Sequence, residues 1–352
     1  LAGLPLFDAR CINAAILFRR QRLLTIWAKH GAIKIDFGDR LMRKILTSLA
    51  MAQALLVSAS ATGQSADNNA IAANNGWSVE QKRDATWHLD QHKKLSAAIA
   101  ALAPQRPGVV DAYVVSIGLD ADPVFGREAS ETAKVLARRY GATGRSITLT
   151  TGTQGLAPQG SPTNLATALA AVAAKMDVKE DVLILYATSH GTAEVGLVYR
   201  DGEEGYGLIS PKRLAKIIDG LGINRRMLLI SACFSGVFVP ALKSDNSVIV
   251  TAASDARTSF GCAATNDWTY FGDALINTAL RKSQPFDKAV QDALILINGW
   301  ENERGLDPSE PQVFVGDKAE AWLSVIEKRV PSVATAKVGR PAIAEDAVEA
   351  GR

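Results

Sequence analysis

The chain has 352 residues, of which 47% are hydrophobic, 21% charged and 6% aromatic. These values fit one large globular domain or two smaller ones and exclude disorder across the whole chain. No short repeat and no glycine or proline excess supports collagen, coiled coil or solenoid, and three cysteines are too few for a disulfide scaffold or a four-cysteine zinc site.

The net charge of +3 hints at nucleic acid or a membrane surface, but its distribution removes the hint. Met42 is followed by Arg43 and Lys44, an uncharged stretch rich in Leu and Ala from 45 to 57, and Ala59-Ser60-Ala61. This is the pattern of a secretory signal peptide at 42–61, with small residues at its cleavage site. The apolar stretch falls short of the roughly 20 residues that span a bilayer; a buried core helix is the bland alternative. Residues 1–41, with seven basic and three acidic residues, then read as an upstream extension or a mis-assigned start. A cytoplasmic extension ahead of a membrane anchor is the other reading. Arg19, Arg20 and Arg22 interrupt the stretch from 14 to 27, which cannot cross a membrane unaided. Residues 62–352 hold 30 basic and 33 acidic residues, a net charge of −3. No basic stripe with interleaved aromatics remains, so no nucleic acid partner is expected. The expectation is a periplasmic or secreted protein whose mature part has no stable membrane insertion.

In chain order, 62–107 read as a lead-in followed by an amphipathic helix over 78–102, ended by Pro104 and Pro107-Gly108. Residues 108–330 form the main domain. A Val-rich strand over 109–117 precedes a helix over 127–140, a short strand over 146–150 and a helix over 161–176 opened by Ser-Pro. The continuous apolar run 181–188 has the character of a buried parallel strand. A hairpin over 195–199 and 205–209, a helix from Ser210-Pro211 to 219, and strands over 226–231 and 247–251 follow. Helices over 268–280 and 286–303, a strand over 312–315 and a helix over 319–328 complete the domain, and 331–352 read as a flexible tail. Strand and helix alternate. This predicts an α/β fold, an open and mostly parallel sheet of about six strands with helices on both faces.

Function in such sheets gathers at the carboxyl ends of strands. One predicted strand runs into Thr188-Ser189-His190-Gly191 and another into Ser231-Ala232-Cys233-Phe234-Ser235-Gly236. A histidine can take the thiol proton and leave a thiolate nucleophile. Gly191 lets a backbone N–H approach an oxyanion, and the N–H of Cys233 is a natural second donor. Each element alone is weak, since most single cysteines and histidines are simply packed; their joint position at strand ends raises the reading. His190 is also the only histidine after position 92.

These residues resemble the legumain-type (asparaginyl endopeptidase) family of cysteine peptidases, in the wider caspase-like group and closest to its bacterial exported members. The resemblance rests on Ser189-His190-Gly191, on the segment from Ser231 to Gly236, on Thr251-Ala252-Ala253, on Thr258 to Cys262 and on Thr269 to Asp273. It covers about residues 109–303 and implies a caspase-like three-layer sandwich. It implies Cys233 as nucleophile, His190 as general base and acid, and the N–H groups of Gly191 and Cys233 as oxyanion hole. Arg127, Ser259 and Asp273 match the family's pocket for an asparagine side chain, and an amide needs both a donor and an acceptor opposite it. No cofactor is implied, and the partner is a peptide or protein substrate. Three positions depart from the family. Phe125 stands where its third active-site residue, an asparagine, would fall; Ser231 replaces the acidic pocket residue two before the cysteine; Glu128 replaces a histidine. With Asp273 and Glu128 near Arg127, asparagine and a basic residue both remain open as the residue before the scissile bond.

Cys262 could bridge Cys233 in an exported protein and silence the thiol; a free thiol packed beside the substrate pocket is the favoured reading. Asp84, His88 and His92 share a helix face, but without a His-Glu-x-x-His context they read as solvated rather than as a zinc site. Three functions follow: a cysteine endopeptidase, a transpeptidase that passes the same acyl group to an amine, and a catalytically silent peptide- or protein-binding module.

Overall fold

The computed structural model describes residues 68–152 and 157–343. The readings of 1–41 as an extension, of 42–61 as a signal peptide and of the last part of the tail lie outside these residues.

Six strands form the central sheet: β2 (Ala112–Gly118), β3 (Ser146–Thr150), β4 (Val182–Thr188), β8 (Arg225–Ser231), β9 (Ser247–Thr251) and β10 (Gln312–Val315). Their order is β10-β9-β8-β4-β2-β3, and every pair is parallel except the edge pair β10 and β9. Both faces are buried because successive side chains of one strand point to opposite sides. Val114, Ile184, Tyr186, Met227, Leu229 and Val248 enter one core, while Tyr113, Val115, Leu183, Leu185, Leu228 and Ile249 enter the other. A strand buried on two sides must be apolar throughout, which is why β4 reads Val-Leu-Ile-Leu-Tyr-Ala-Thr.

The first core is covered by α2 (Pro123–Arg139), a π-helix over Gly272–Ala279, α6 (Phe286–Glu303) and α7 (Ala319–Glu327). The second is covered by α3 (Pro162–Ala173), α4 (Pro211–Gly220) and α5 (Val239–Leu242), with α1 (Ala85–Ala100) packed alongside. The three-layer α/β architecture expected from the alternating pattern is present. The Ser-Pro signals act as read: Ser161 and Ser210 accept from the N–H groups of Asn164 and Arg213, and proline fills the first helical turn.

Three segments differ from expectation. Residues 68–74 are helical, and 78–80 form strand β1 (Ser78–Glu80) instead of the start of a helix. β1 pairs with β7 (Gly205–Ile209), which with β6 (Gly196–Asp201) and β5 (Gly191–Thr192) makes a second, four-stranded sheet. The lead-in therefore supplies a strand to a hairpin whose edge needed one. The helix expected over 268–280 is wound as a π-helix, with the Leu280 N–H donating to the Leu275 carbonyl at 2.8 Å.

The tail is the third difference. Residues 331–343 lie along the π-helix, pinned by side chains that are themselves buried. Asp273 accepts from the Ala342 N–H at 2.8 Å, Asn277 from the Val338 N–H at 2.9 Å, and the Trp268 indole N–H donates to the Val338 carbonyl at 2.7 Å. Arg281 adds a bond to the Thr335 hydroxyl and accepts from its N–H. The tail's composition looks loose because its attachment uses backbone groups, which leave no trace in hydropathy.

Candidate active site

The registers of three adjacent parallel strands place the site. Gly118 of β2 lies opposite Thr188 of β4, and Thr188 lies opposite Ser231 of β8. Two residues beyond these aligned ends come Asp120, His190 and Cys233. Equal offsets from aligned positions bring residues far apart in sequence to one carboxyl edge.

Each tip is held by backbone bonding. The Ser189 N–H donates to the Ser231 carbonyl, linking the His190 and Cys233 tips directly, and the Val198 N–H donates to the His190 carbonyl. Beyond Cys233 the chain turns at Phe234, which adopts a left-handed conformation with φ 56°, uncommon for a bulky residue. The turn leads into a 3-10 helix over Ser235–Phe238, and the Phe234 N–H is held by the Arg257 carbonyl at 2.8 Å.

Gly191 packs so tightly that a Cβ there would stand 2.1 Å from the Cys233 carbonyl oxygen. Gly191→Ala must therefore displace the backbone of Cys233. The expected result is a loss of about 1–3 kcal/mol of stability together with loss of turnover, read by thermal melting and by peptide hydrolysis.

Cys233 and Cys262 are both free thiols, so the bridge considered above is not formed. The Cys233 sulfur is surrounded by Ser259: it accepts from the Ser259 N–H at 3.3 Å and faces the Ser259 carbonyl at 3.6 Å and hydroxyl at 3.7 Å. Burial pushes this thiol above its ordinary range, opposed by the Ser259 N–H, which favours the thiolate. His190 faces elsewhere at rest. Its Nε2 lies 3.4 Å from a carboxylate oxygen of Asp122, and the Phe125 ring meets the imidazole edge-on at 5.1 Å between centroids. Burial disfavours the imidazolium, but the contacts with Asp122 and with the Cys262 sulfur outweigh it and raise His190 to about 10. Cys262 thus stands beside the histidine. No hydrogen bond joins the Cys233 sulfur to the imidazole in this resting arrangement.

Other expected pocket residues are redistributed. Arg127 is 41% exposed; its Nε pairs with Asp267 at 3.1 Å, and its guanidinium donates to the carbonyls of Ala264 and Asn266. Asp273 is 1% exposed, and its oxygens bind Asn277 and the Ala342 N–H, so it anchors the tail. Ser231 is likewise 1% exposed, with its hydroxyl on Thr269 at 3.0 Å. Glu128 is fully buried, accepting from the Tyr186 hydroxyl at 2.6 Å and the Thr269 N–H at 2.7 Å. It braces the inner face of α2 against β4, while Arg127 points out from the same helix.

Asp122, Asp120, Arg200 and Asp267 carry no signal in the sequence. Asp120 is fully buried and pairs with Arg200 at 2.9 Å and 3.2 Å; Arg200 also reaches Asp122 at 3.1 Å. Among the described residues, Asp120, Asp122 and His190 are the one group close enough to share a cation, and the Arg200 guanidinium already supplies that positive charge. His88 and His92 are exposed on α1, and Asp84 caps that helix through the Trp87 N–H, in line with a solvated face.

Comparison with known proteins adds to this geometry. The model of the Peptidase C13 family matches residues 163–318. A search of curated proteins found no match. Among solved structures, the crystal structure of caspase-1 from Spodoptera frugiperda is similar at 12% identity, over 58% of this chain and 85% of that one, with a TM-score of 0.40. The family match spans both His190 and Cys233, so the chain is similar to the Peptidase C13 family over the segment that carries both residues.

Proposed function

We propose that the protein is an exported endopeptidase in which Cys233 is the nucleophile and His190 the proton carrier. The observation that carries this is the common two-residue offset of His190 and Cys233 from the aligned pair Thr188 and Ser231. In its neutral form His190 takes the thiol proton, and the thiolate attacks the scissile carbonyl. The N–H groups of Gly191 and Cys233 receive the oxyanion. His190 then gives its proton to the departing amine, leaving a thioester, and a water that loses its proton to His190 releases the acid. A shift of the imidazole that keeps Nε2 on Asp122 brings Nδ1 to the sulfur; such bonds are commonly long before substrate binds.

For the residue before the scissile bond, Arg127 supplies donors and Asp267 an acceptor, the two complements of a carboxamide. With Asp273 and Glu128 buried, this pair favours asparagine over lysine or arginine. Export rests on the signal-peptide pattern at 42–61. Among the described residues no helix is long and apolar enough to cross a membrane.

Fluorogenic peptides with Asn, Asp, Arg or Lys before the reporter test the reading. Cleavage after Asn is expected, and an electrophilic peptide ketone of that sequence should add its mass to the tryptic peptide containing Cys233. No turnover on any of the four, or on a protein mixture, would instead favour the binding module. Added amine that diverts product from acid to amide would identify a transpeptidase.

A further inference from the structure

Asp122 occupies the N-cap position of α2 yet makes no side-chain capping bond. Aspartate is among the best capping residues, its bond being worth about 1 kcal/mol, and Asp84, Ser161 and Ser210 all cap their helices in this way. The Asp122 carboxylate instead faces Nε2 of His190 and Nη2 of Arg200. Phe125, at the position of the family's third active-site residue, offers the imidazole only a ring edge.

We infer that Asp122 is a positioning residue for His190, keeping a proton on Nε2 so that Nδ1 is left to exchange one with the Cys233 sulfur; this rests on the peptidase reading above. A histidine whose far nitrogen donates to a carboxylate is fixed in tautomer and orientation. Phe125 limits the ring on one side while Asp122 holds it from the end. The contact is reciprocal: the His190 contact above all, opposed by burial and supported by Arg200, holds the Asp122 carboxyl below its ordinary range. Arg200 keeps two further bonds to Asp120, so it stays in place when the charge at position 122 is removed. The charged and titratable groups around His190 are thus Asp122 from the start of α2, Asp120 from the end of β2, Arg200 from β6, Cys262 from the loop after β9, and Cys233 beyond β8.

The test compares wild type with Asp122→Asn and Asp122→Ser, the latter an equally good helix cap, and with Asp122→Glu. Two readouts are needed. In turnover, Asp122→Asn and Asp122→Ser should lower kcat by about 100-fold with little change in KM, and the limb of the pH profile belonging to His190 should move to lower pH. That direction follows because the imidazolium loses the carboxylate that favours it. Asp122→Glu should recover part of both. In the second readout, the His190 ring is titrated by NMR in the intact proteins, assigned with a His190 variant, and its midpoint should fall in the Asn and Ser variants. Unchanged kcat and an unmoved midpoint in a folded Asn or Ser variant would overturn the inference. A Cys233→Ala protein that hydrolyses peptide at the wild-type rate would sink the peptidase reading instead, and the NMR titration, which needs no turnover, still decides the role of Asp122.

Discussion

Cys233→Ala is expected to lower kcat by about 10⁴-fold or more while leaving peptide binding close to that of wild type. At about 1.4 kcal/mol for each tenfold change, no other single substitution discussed here should raise the barrier as much. The size follows from chemistry, since the thiolate forms the bond that becomes the acyl-enzyme and alanine has nothing in its place. Binding survives because Arg127 and Asp267 do not depend on the sulfur for position; Arg127 is held by Asp267 and by the carbonyls of Ala264 and Asn266, and Asp267 also by the Arg340 N–H. The variant should therefore trap substrate, and peptide titration by fluorescence anisotropy separates the two effects. A second consequence concerns the resting thiol. Burial raises Cys233, so the thiolate fraction is small at neutral pH and grows as pH rises. Alkylation of Cys233 by iodoacetamide should accelerate with pH in the free enzyme, followed by mass spectrometry in a Cys262→Ser background so that the neighbouring sulfur does not contribute.

Ending the chain at Val330 is expected to cost about 3 kcal/mol or more, because it removes the partners of groups that face inward. Asp273 and Asn277 are each 1% exposed and Trp268 2% exposed, and all three spend polar atoms on residues 338–342. A buried polar atom left without its partner costs about 1–3 kcal/mol, partly relieved where water enters the space vacated by the tail. For a domain of this size that corresponds to a fall in Tm of roughly 10 °C. Activity should fall as well, since Asp267, which pairs with Arg127, also accepts from the Arg340 N–H. A truncated protein melting within a degree or two of the full chain would show that the attachment contributes little.

Much of the fold was legible because buried parallel strands have no choice of composition. The runs at 146–150 and 247–251 coincide with β3 and β9, and the helix at 286–303 with α6. His190 and Cys233 were legible for a related reason, since apolar runs that end in small and reactive residues mark strand tips. What could not be read depends on groups that hydropathy does not see. Asp122 looks like an ordinary helix cap before proline, and only coordinates reveal that its carboxylate turns to His190. Asp273 looks like a pocket acid because it follows a family pattern, yet the π-helix turns it inward to a backbone N–H of the tail. Residues 78–80 carry too few positions to show a strand period, and their pairing is fixed by the hairpin they join.

The shared offset of Asp120, His190 and Cys233 has one more implication. Strands β2, β4 and β8 act as three rulers laid side by side, with the site assembled at a common graduation. A residue added inside any one of them would advance its tip by about 3.3 Å and turn its side chain to the opposite face, breaking the alignment of Gly118, Thr188 and Ser231. Residues added before Ala112, Val182 or Arg225 fall at the far edge of the sheet and leave the graduation untouched. Insertions and deletions are thus confined by geometry to one edge of the sheet, and the length of these three strands is as much a determinant of chemistry as the side chains they carry.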